Sequence, residues 1–248
     1  MADSVSNYHF RLTKYFIDQA IKKIEESKKN SADTGSSEKP ILEKLLEIDV
    51  ETARVMASDM LMAGIDTVCI KHAVLATLYL LATNPAKQKK LREEVLSKQT
   101  RKPYLRACIK ESRRMLPVVI GNVRLVAKEY NLLGYHIPKN SLVLFAHQYM
   151  SSMSEHYPKP DEFLPERWLT GKDDPIHHGN THPFVTATFG FGVRMCIGRR
   201  IAQLEMETVV SKVIENFQLE WTSDEPLHMA PTSLNYITEP FHFVFKDL

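Results

Sequence analysis

Cysteine is scarce in this chain of 248 residues. The three present, Cys69, Cys108 and Cys196, lie far apart, with no CxxC pair and no disulfide-framework spacing. That excludes a stapled scaffold and suits a reducing compartment. Long apolar runs are also lacking. The longest, Val74 to Ala82, is far too short to span a bilayer. Charge of one sign is not in excess: 32 Lys and Arg stand against 30 Asp and Glu, a net +2, so nothing global points to nucleic acid. No internal repeat is visible. The opening residues, Met1-Ala2-Asp3-Ser4, are polar and acidic, so neither a secretory signal nor an arginine-rich transit peptide is expected there.

With 44% hydrophobic and 25% charged residues the composition is that of a globular protein, with room for one large domain or two small ones. Tyr8 to Lys29 has helical apolar spacing, at Phe10, Tyr15-Phe16, Ala20-Ile21 and Ile24. Asn30 to Lys39 reads as a loop, and Pro40 starts a short helix. Val50 to Ala82 is one long helical pattern, interrupted by Gly64 and stopped by Asn84-Pro85. Pro85 opens a helix to about Leu96, and Tyr104 to Met115 is another, ended by Pro117. Val118 to Val143 turns to β character, with a hairpin signal at Gly134. Tyr157 to His182, rich in Pro, Asp, Gly and His, reads as an irregular meander. A helix is expected from about Ile197 to Asn216 and short strands from Leu219 to Phe245. The expected fold is mainly α with small β-sheets, an α+β arrangement.

The most informative stretch is Phe189-Gly190-Phe191-Gly192-Val193-Arg194-Met195-Cys196-Ile197-Gly198. Gly190, Gly192 and Gly198 let the backbone turn tightly and approach a flat ligand. Cys196 stands at the expected helix start, where backbone N–H groups favour negative charge on the sulfur. Arg194 adds a cation able to pair with a carboxylate. A sulfur presented this way suits an iron ligand; the ordinary alternative is a buried free cysteine beside a glycine turn.

This string resembles the haem loop of the cytochrome P450 family, the haem-thiolate monooxygenases, whose pattern is Phe-x-x-Gly-x-Arg-x-Cys-x-Gly. Phe189, Gly192, Arg194, Cys196 and Gly198 fill its five fixed positions. The resemblance implies haem (iron protoporphyrin IX) as cofactor, with Cys196 as the axial ligand of its iron. It implies oxygen-dependent hydroxylation of an apolar small molecule, a xenobiotic or a steroid. A thiolate on haem iron favours O–O cleavage.

Other segments add to it. Ala63-Gly64-Ile65-Asp66-Thr67 resembles the family's distal-helix motif, which implies that Asp66 and Thr67 relay protons. Glu111 and Arg114 share a helix face at i and i+3, for which a solvated surface pair is the plain reading. The resemblance instead implies a buried triad with Arg167 of Pro165-Glu166-Arg167-Trp168. It also implies Arg124 as a haem propionate partner, where the residues alone allow a strand-edge arginine in solvent. Arg106 and Lys110 lie four apart on one helix face, and Arg199-Arg200 follow the Cys-x-Gly. Alone these read as a solvated cationic face. The resemblance, here to insect mitochondrial members, makes them the docking site of an acidic ferredoxin. It thereby implies a mitochondrial location, on the matrix side of the inner membrane, although the chain shows no targeting segment. His177, His178 and His182 cluster in the meander without a fourth ligand at sensible spacing, so a metal site is not expected there.

The likeness covers about the C-terminal half of a full family member, and the N-terminal half, with much of the substrate pocket, is missing. Between Val95 and Tyr104 full members carry a longer connection. Thr188 stands where a proline is usual before the loop, and Val68 where a hydroxyl residue is frequent. One partial domain over 1–248 is expected: a helical region 8–116, β and meander 117–188, the haem loop 189–198 with its helix, and strands 217–248. Two functions remain open: a monooxygenase, or a truncated non-catalytic fragment that binds haem weakly or not at all.

Overall fold

The computed structural model describes residue 11 and residues 14–26, 39–66, 69–231, 234–238 and 240–248. The chain forms two compact units, residues 1–68 and 69–248. The first contains α1 (14–26), α2 (Ile41–Leu46) and α3 (Val50–Asp66). Ile17 and Ile21, one turn apart on α1, are buried, as is Ala53 of α3. Asp49 caps α3: its Oδ2 accepts the Thr52 N–H at 2.8 Å. The helical pattern read across Val50 to Ala82 is helix on both sides of residues 67–68, which lie outside the described residues.

The second unit is built on α4 (Cys69–Ala82), α5 (Pro85–Leu96), α6 (Pro103–Met115) and α8 (Arg199–Asn216). The apolar run of α4 is a core helix. Ala73, Val74, Leu78, Leu80 and Leu81 are buried with Leu91, Leu105, Cys108, Met206, Val210 and Ile214 of the other three. Thr77 is wholly buried inside that run, and its hydroxyl is satisfied by the Ala73 carbonyl one turn back, at 2.7 Å. Among the described residues no helix is long and apolar enough to cross a membrane.

Among the described residues there are also four antiparallel sheets of two strands each. β1 (Asn122–Leu125) pairs with β4 (Leu142–Phe145), and β2 (Tyr130–Leu132) with β3 (Tyr135–Ile137). β5 (Phe217–Trp221) pairs with β8 (Phe243–Asp247), and β6 (Met229–Pro231) with β7 (Asn235–Ile237). The expected hairpin turn is Leu133-Gly134, both at positive φ (51° and 85°), the signature of a two-residue I′ turn. A short helix α7 (His147–Ser151) follows β4, and the meander is irregular apart from short 3₁₀ turns such as Pro165–Trp168. The fold is thus helical with minor sheets, as expected.

α8 begins at Arg199 rather than at Ile197, with Gly198 as its N-cap. The reason is local. The Cys196 amide donates to the Phe189 carbonyl at 2.9 Å and closes a loop, so the helix starts only beyond it. Its far end stops abruptly, and Phe217 opens β5 directly. Arg92 of α5 satisfies that end, donating to the carbonyls of Ile214 (3.0 Å) and Phe217.

The short connection from α5 to α6 is closed by reciprocal capping. Lys102 Nζ donates to the carbonyls of Glu94 (2.6 Å), Val95 (3.1 Å) and Ser97 (2.8 Å) at the end of α5. Glu94 in turn accepts the Tyr104 and Leu105 amides, both at 2.8 Å, at the start of α6. Hydrogen bonds to a charged group carry about 1.5–3 kcal/mol. Lys102→Met is therefore expected to cost about 2 kcal/mol in a denaturant titration, and an unchanged midpoint would remove the cap from the account.

Candidate functional site

α6 positions one buried ionic cluster. Pro103 sets its first turn, and the spacing of Glu111 and Arg114 brings both side chains to the face that meets the meander. Glu111 and Arg167 are fully buried and Arg114 is 2% exposed. Arg114 Nη2 lies 2.9 Å from Glu111 Oε1 and its Nε 3.1 Å from Oε2. Arg167 Nε reaches Oε1 at 2.9 Å and Trp168 Nε1 reaches Oε2 at 2.9 Å. The remaining guanidinium hydrogens go to backbone: Arg114 to the Ser151 and Pro160 carbonyls, Arg167 to those of Pro158 and Lys159. Tyr157 lies under both guanidiniums, at 5.2 and 5.5 Å from its ring centroid. The structure thus brings Glu111, Arg114 and Arg167 together, buried and satisfied, the only condition under which such charges leave water cheaply.

The meander is pinned at further points. Burial pushes Glu166 up, but hydrogen bonds from Lys87 Nζ at 2.7 Å, from its own amide and from Lys90 Nζ at 3.0 Å outweigh it and hold the carboxyl at about 2. Tyr104 donates to the same carboxylate at 3.0 Å. Two of the three clustered histidines bind backbone: His177 Nδ1 donates to Thr170 O at 2.8 Å and His178 Nδ1 to Arg167 O at 3.2 Å. His182 instead accepts the Phe184 amide at 3.3 Å.

The loop from Phe189 to Gly198 lies against this framework. Gly190 and Gly192 take positive φ (73° and 67°), and a Cβ on Gly190 would stand 2.9 Å from Asn122 Oδ1. Gly192 to Arg194 form a 3₁₀ turn that leaves Val193, Arg194, Met195, Cys196 and Ile197 exposed. Cys196 and Cys108 are opposites. Cys108 is buried, and that burial pushes its thiol far up, making it an inert core residue; Cys196 presents its sulfur at the surface. Arg124 is half-buried on β1. Its guanidinium sits 5.1 Å from the Phe191 ring centroid, and one N–H goes to the Val123 carbonyl at 2.9 Å. Asp66 and Thr67 lie outside the residues whose side chains are described.

His147 was not legible as a site residue. It is 5% exposed, beside the rings of Phe145 and Phe191, and its Nδ1 donates to the Phe184 carbonyl at 2.7 Å. Its Nε2 is buried with no partner among the described residues. Burial lowers its pKa below the ordinary 6.5, against the opposing bond to Phe184, and burial lowers His178 as well. Both groups are neutral in the fold and charge more readily when unfolded. Their contribution is intact above about pH 6.5 and is lost as pH falls through the lowered folded values. The thermal midpoint is expected to drop on acidification from pH 7, with a shallower slope in His147→Phe; identical slopes would contradict the assignment.

The basic residues form a groove of about 410 Å³ between α6 and α8, lined by Arg106, Lys110 and Arg113 from one and Arg200, Leu204 and Glu207 from the other. Arg106 Nε meets Glu207 Oε1 at 3.0 Å. Arg199 does not line it; its Nη1 turns to Met195 Sδ at 3.7 Å. Two arginines in the first turn of α8 oppose the helix dipole, a small cost.

A sequence model of the family described as Cytochrome P450 matches residues 2–245. Cytochrome P450 CYP12A2 of Musca domestica is 39% identical over 257 aligned positions, covering 96% of this chain and 48% of that protein. Two proteins of Drosophila melanogaster, probable cytochrome P450 12a5, mitochondrial, and probable cytochrome P450 12c1, mitochondrial, are 39% and 40% identical, covering 96% and 94% of this chain and 47% of each of theirs. The chain belongs to the cytochrome P450 family. It spans about half the length of the curated relatives it matches. The 257 aligned positions exceed the 248 residues present, so the first relative carries residues within the match that this chain lacks.

The family implies haem. The residues present fit it: one exposed sulfur, the soft donor that iron accepts, on a glycine turn that brings backbone close, flanked by exposed apolar Val193, Met195 and Ile197.

Proposed function

We propose that this chain provides the haem-binding part of a haem-thiolate monooxygenase that hydroxylates an apolar small molecule. The observation that carries the reading is the exposed Cys196 thiol on a loop closed by the bond from its own amide to the Phe189 carbonyl. Haem, when bound, supplies oxygen activation, and a thiolate donor favours O–O cleavage. Cys196 would hold its iron through the sulfur. Gly190, Gly192 and Gly198 would let the backbone come close to a flat ring, Gly198 without a Cβ that would stand 4.0 Å from the sulfur. Arg124 and Arg194 supply guanidinium donors for the ring's carboxylates. Asp66 and Thr67 would move protons to the bound oxygen.

The groove between α6 and α8 would receive an acidic ferredoxin. Three of its cations, Arg106, Lys110 and Arg200, come from two helices that converge on it. The names of the relatives support a mitochondrial setting. In a chain that takes up haem, charge reversal at Lys110 and Arg200 is expected to slow reduction by a ferredoxin at least tenfold at low salt, with the gap closing as salt rises. Equal rates at low salt would rule out the groove as the docking surface.

A second reading, a non-catalytic chain that holds haem weakly, is favoured by one observation. Apolar side chains on both strands of the β1–β4 sheet (Val123, Leu125, Leu142 and Leu144) stand exposed. Titration with haem separates the two. The first reading gives saturable uptake near one haem per chain with a red-shifted Soret band in the reduced, carbon monoxide-bound state; the second gives weak uptake without it.

A further inference from the structure

Arg113 lies between Ser112 and Arg114 on α6, yet it takes no part in the buried ionic cluster. It is 8% exposed, and its guanidinium carbon stands 4.0 Å from the centroid of the Phe189 ring. Its Nη2 also donates to the Thr188 hydroxyl. A cation stacked this closely on an aromatic face and largely removed from water is held there by the negative face of the ring. Thr188 and Phe189 are the root of the cysteine loop, and the Phe189 carbonyl accepts the Cys196 amide at 2.9 Å. The Phe189 side chain packs in turn against the main core. A continuous set of contacts therefore runs from α6 through the Arg113 guanidinium and Phe189 to the backbone of Cys196.

We propose that Arg113 is a positioning residue for Cys196: it clamps the root of the loop to α6, and so fixes the carbonyl that holds the cysteine's amide. The clamp depends on the residue types at both positions. A proline at position 188 would offer no hydroxyl, and an aliphatic residue at 113 would offer neither charge nor donor. The inference rests on the monooxygenase reading only in treating Cys196 as a ligand; the clamp itself is a property of the protein chain.

Amide hydrogen exchange on the folded 248-residue chain tests it directly, without haem. Arg113→Leu keeps the apolar stem and removes the cation. It is expected to speed exchange at the Cys196 amide about tenfold and to leave the Leu116 amide, bonded to Ser112 O at 2.8 Å in α6, unchanged. Arg113→Lys retains a cation over the ring and should recover part of the protection. Phe189→Leu should match the loss, and the double variant should add little to it. A merely structural role would speed exchange throughout α6 as well, and would not be rescued by lysine. If Arg113→Leu does not fold, Thr188→Val and Phe189→Leu carry the same test. Unchanged Cys196 exchange in the folded variants overturns the clamp. With haem bound, Arg113→Leu should lower the fraction of the red-shifted carbon monoxide band. If the parent chain shows no such band while its exchange responds as stated, the ligand reading fails and the clamp stands.

Discussion

Glu111→Ala is expected to cost about 3–5 kcal/mol of stability. The carboxylate accepts hydrogen bonds from two arginines and a tryptophan, all within 3.1 Å. Its removal leaves Arg114 and Arg167 buried side by side, with only carbonyls to offset two positive charges. Such a loss is a large share of the 5–15 kcal/mol typical of a whole domain. The variant should therefore be partly unfolded at room temperature, or melt well below the parent in calorimetry. Arg114→Ala removes the bonds to Ser151 and Pro160 too, and should abolish haem retention. A midpoint within a few tenths of a kcal/mol of the parent would show that the cluster is not what holds α6 to the meander.

Cys196→Ser should behave in the opposite way. The side chain is exposed, so the fold should be unchanged within about 0.5 kcal/mol. The chemistry should nonetheless be lost completely, because a hydroxyl oxygen is a hard donor and no longer gives the iron a thiolate. Cys108→Ser is the complementary control. It puts a hydroxyl into the core beside Leu91, Leu105 and Val210, and should cost about 1–3 kcal/mol while leaving any haem signature in place. The pair separates a sulfur that does chemistry from one that fills space.

Much of this architecture was legible because the residues that set it act locally. Pro85 marks a helix start, Gly134 marks the hairpin, and the cysteine loop carries its own spacing. Element edges were less legible where a long-range bond decides them. The Cys196 amide is taken by Phe189, and that moved the start of α8 from Ile197 to Arg199. The pairing of Lys102 and Glu94 with opposite helix ends, and that of Arg92 with the end of α8, depend on which elements meet in space, which periodicity does not encode. His147 gave no signal because a single histidine after a strand is ordinary, and only its burial among aromatic rings sets it apart. Arg113 was hidden by its neighbours: it falls inside the Glu-x-x-Arg spacing but points elsewhere, toward Thr188 and Phe189. Arg106 and Lys110 could be placed on one helix face from their spacing, but not opposite Arg200, since that requires the crossing of α6 and α8.

The central claim is that one exposed sulfur binds the haem iron. The optical spectrum of the reduced, haem-loaded chain under carbon monoxide, taken beside that of Cys196→Ser, tests it most directly. The account predicts the red-shifted Soret band of thiolate ligation in the first and its complete loss in the second, at equal folded fraction. The same band in both proteins, or in neither, would contradict it.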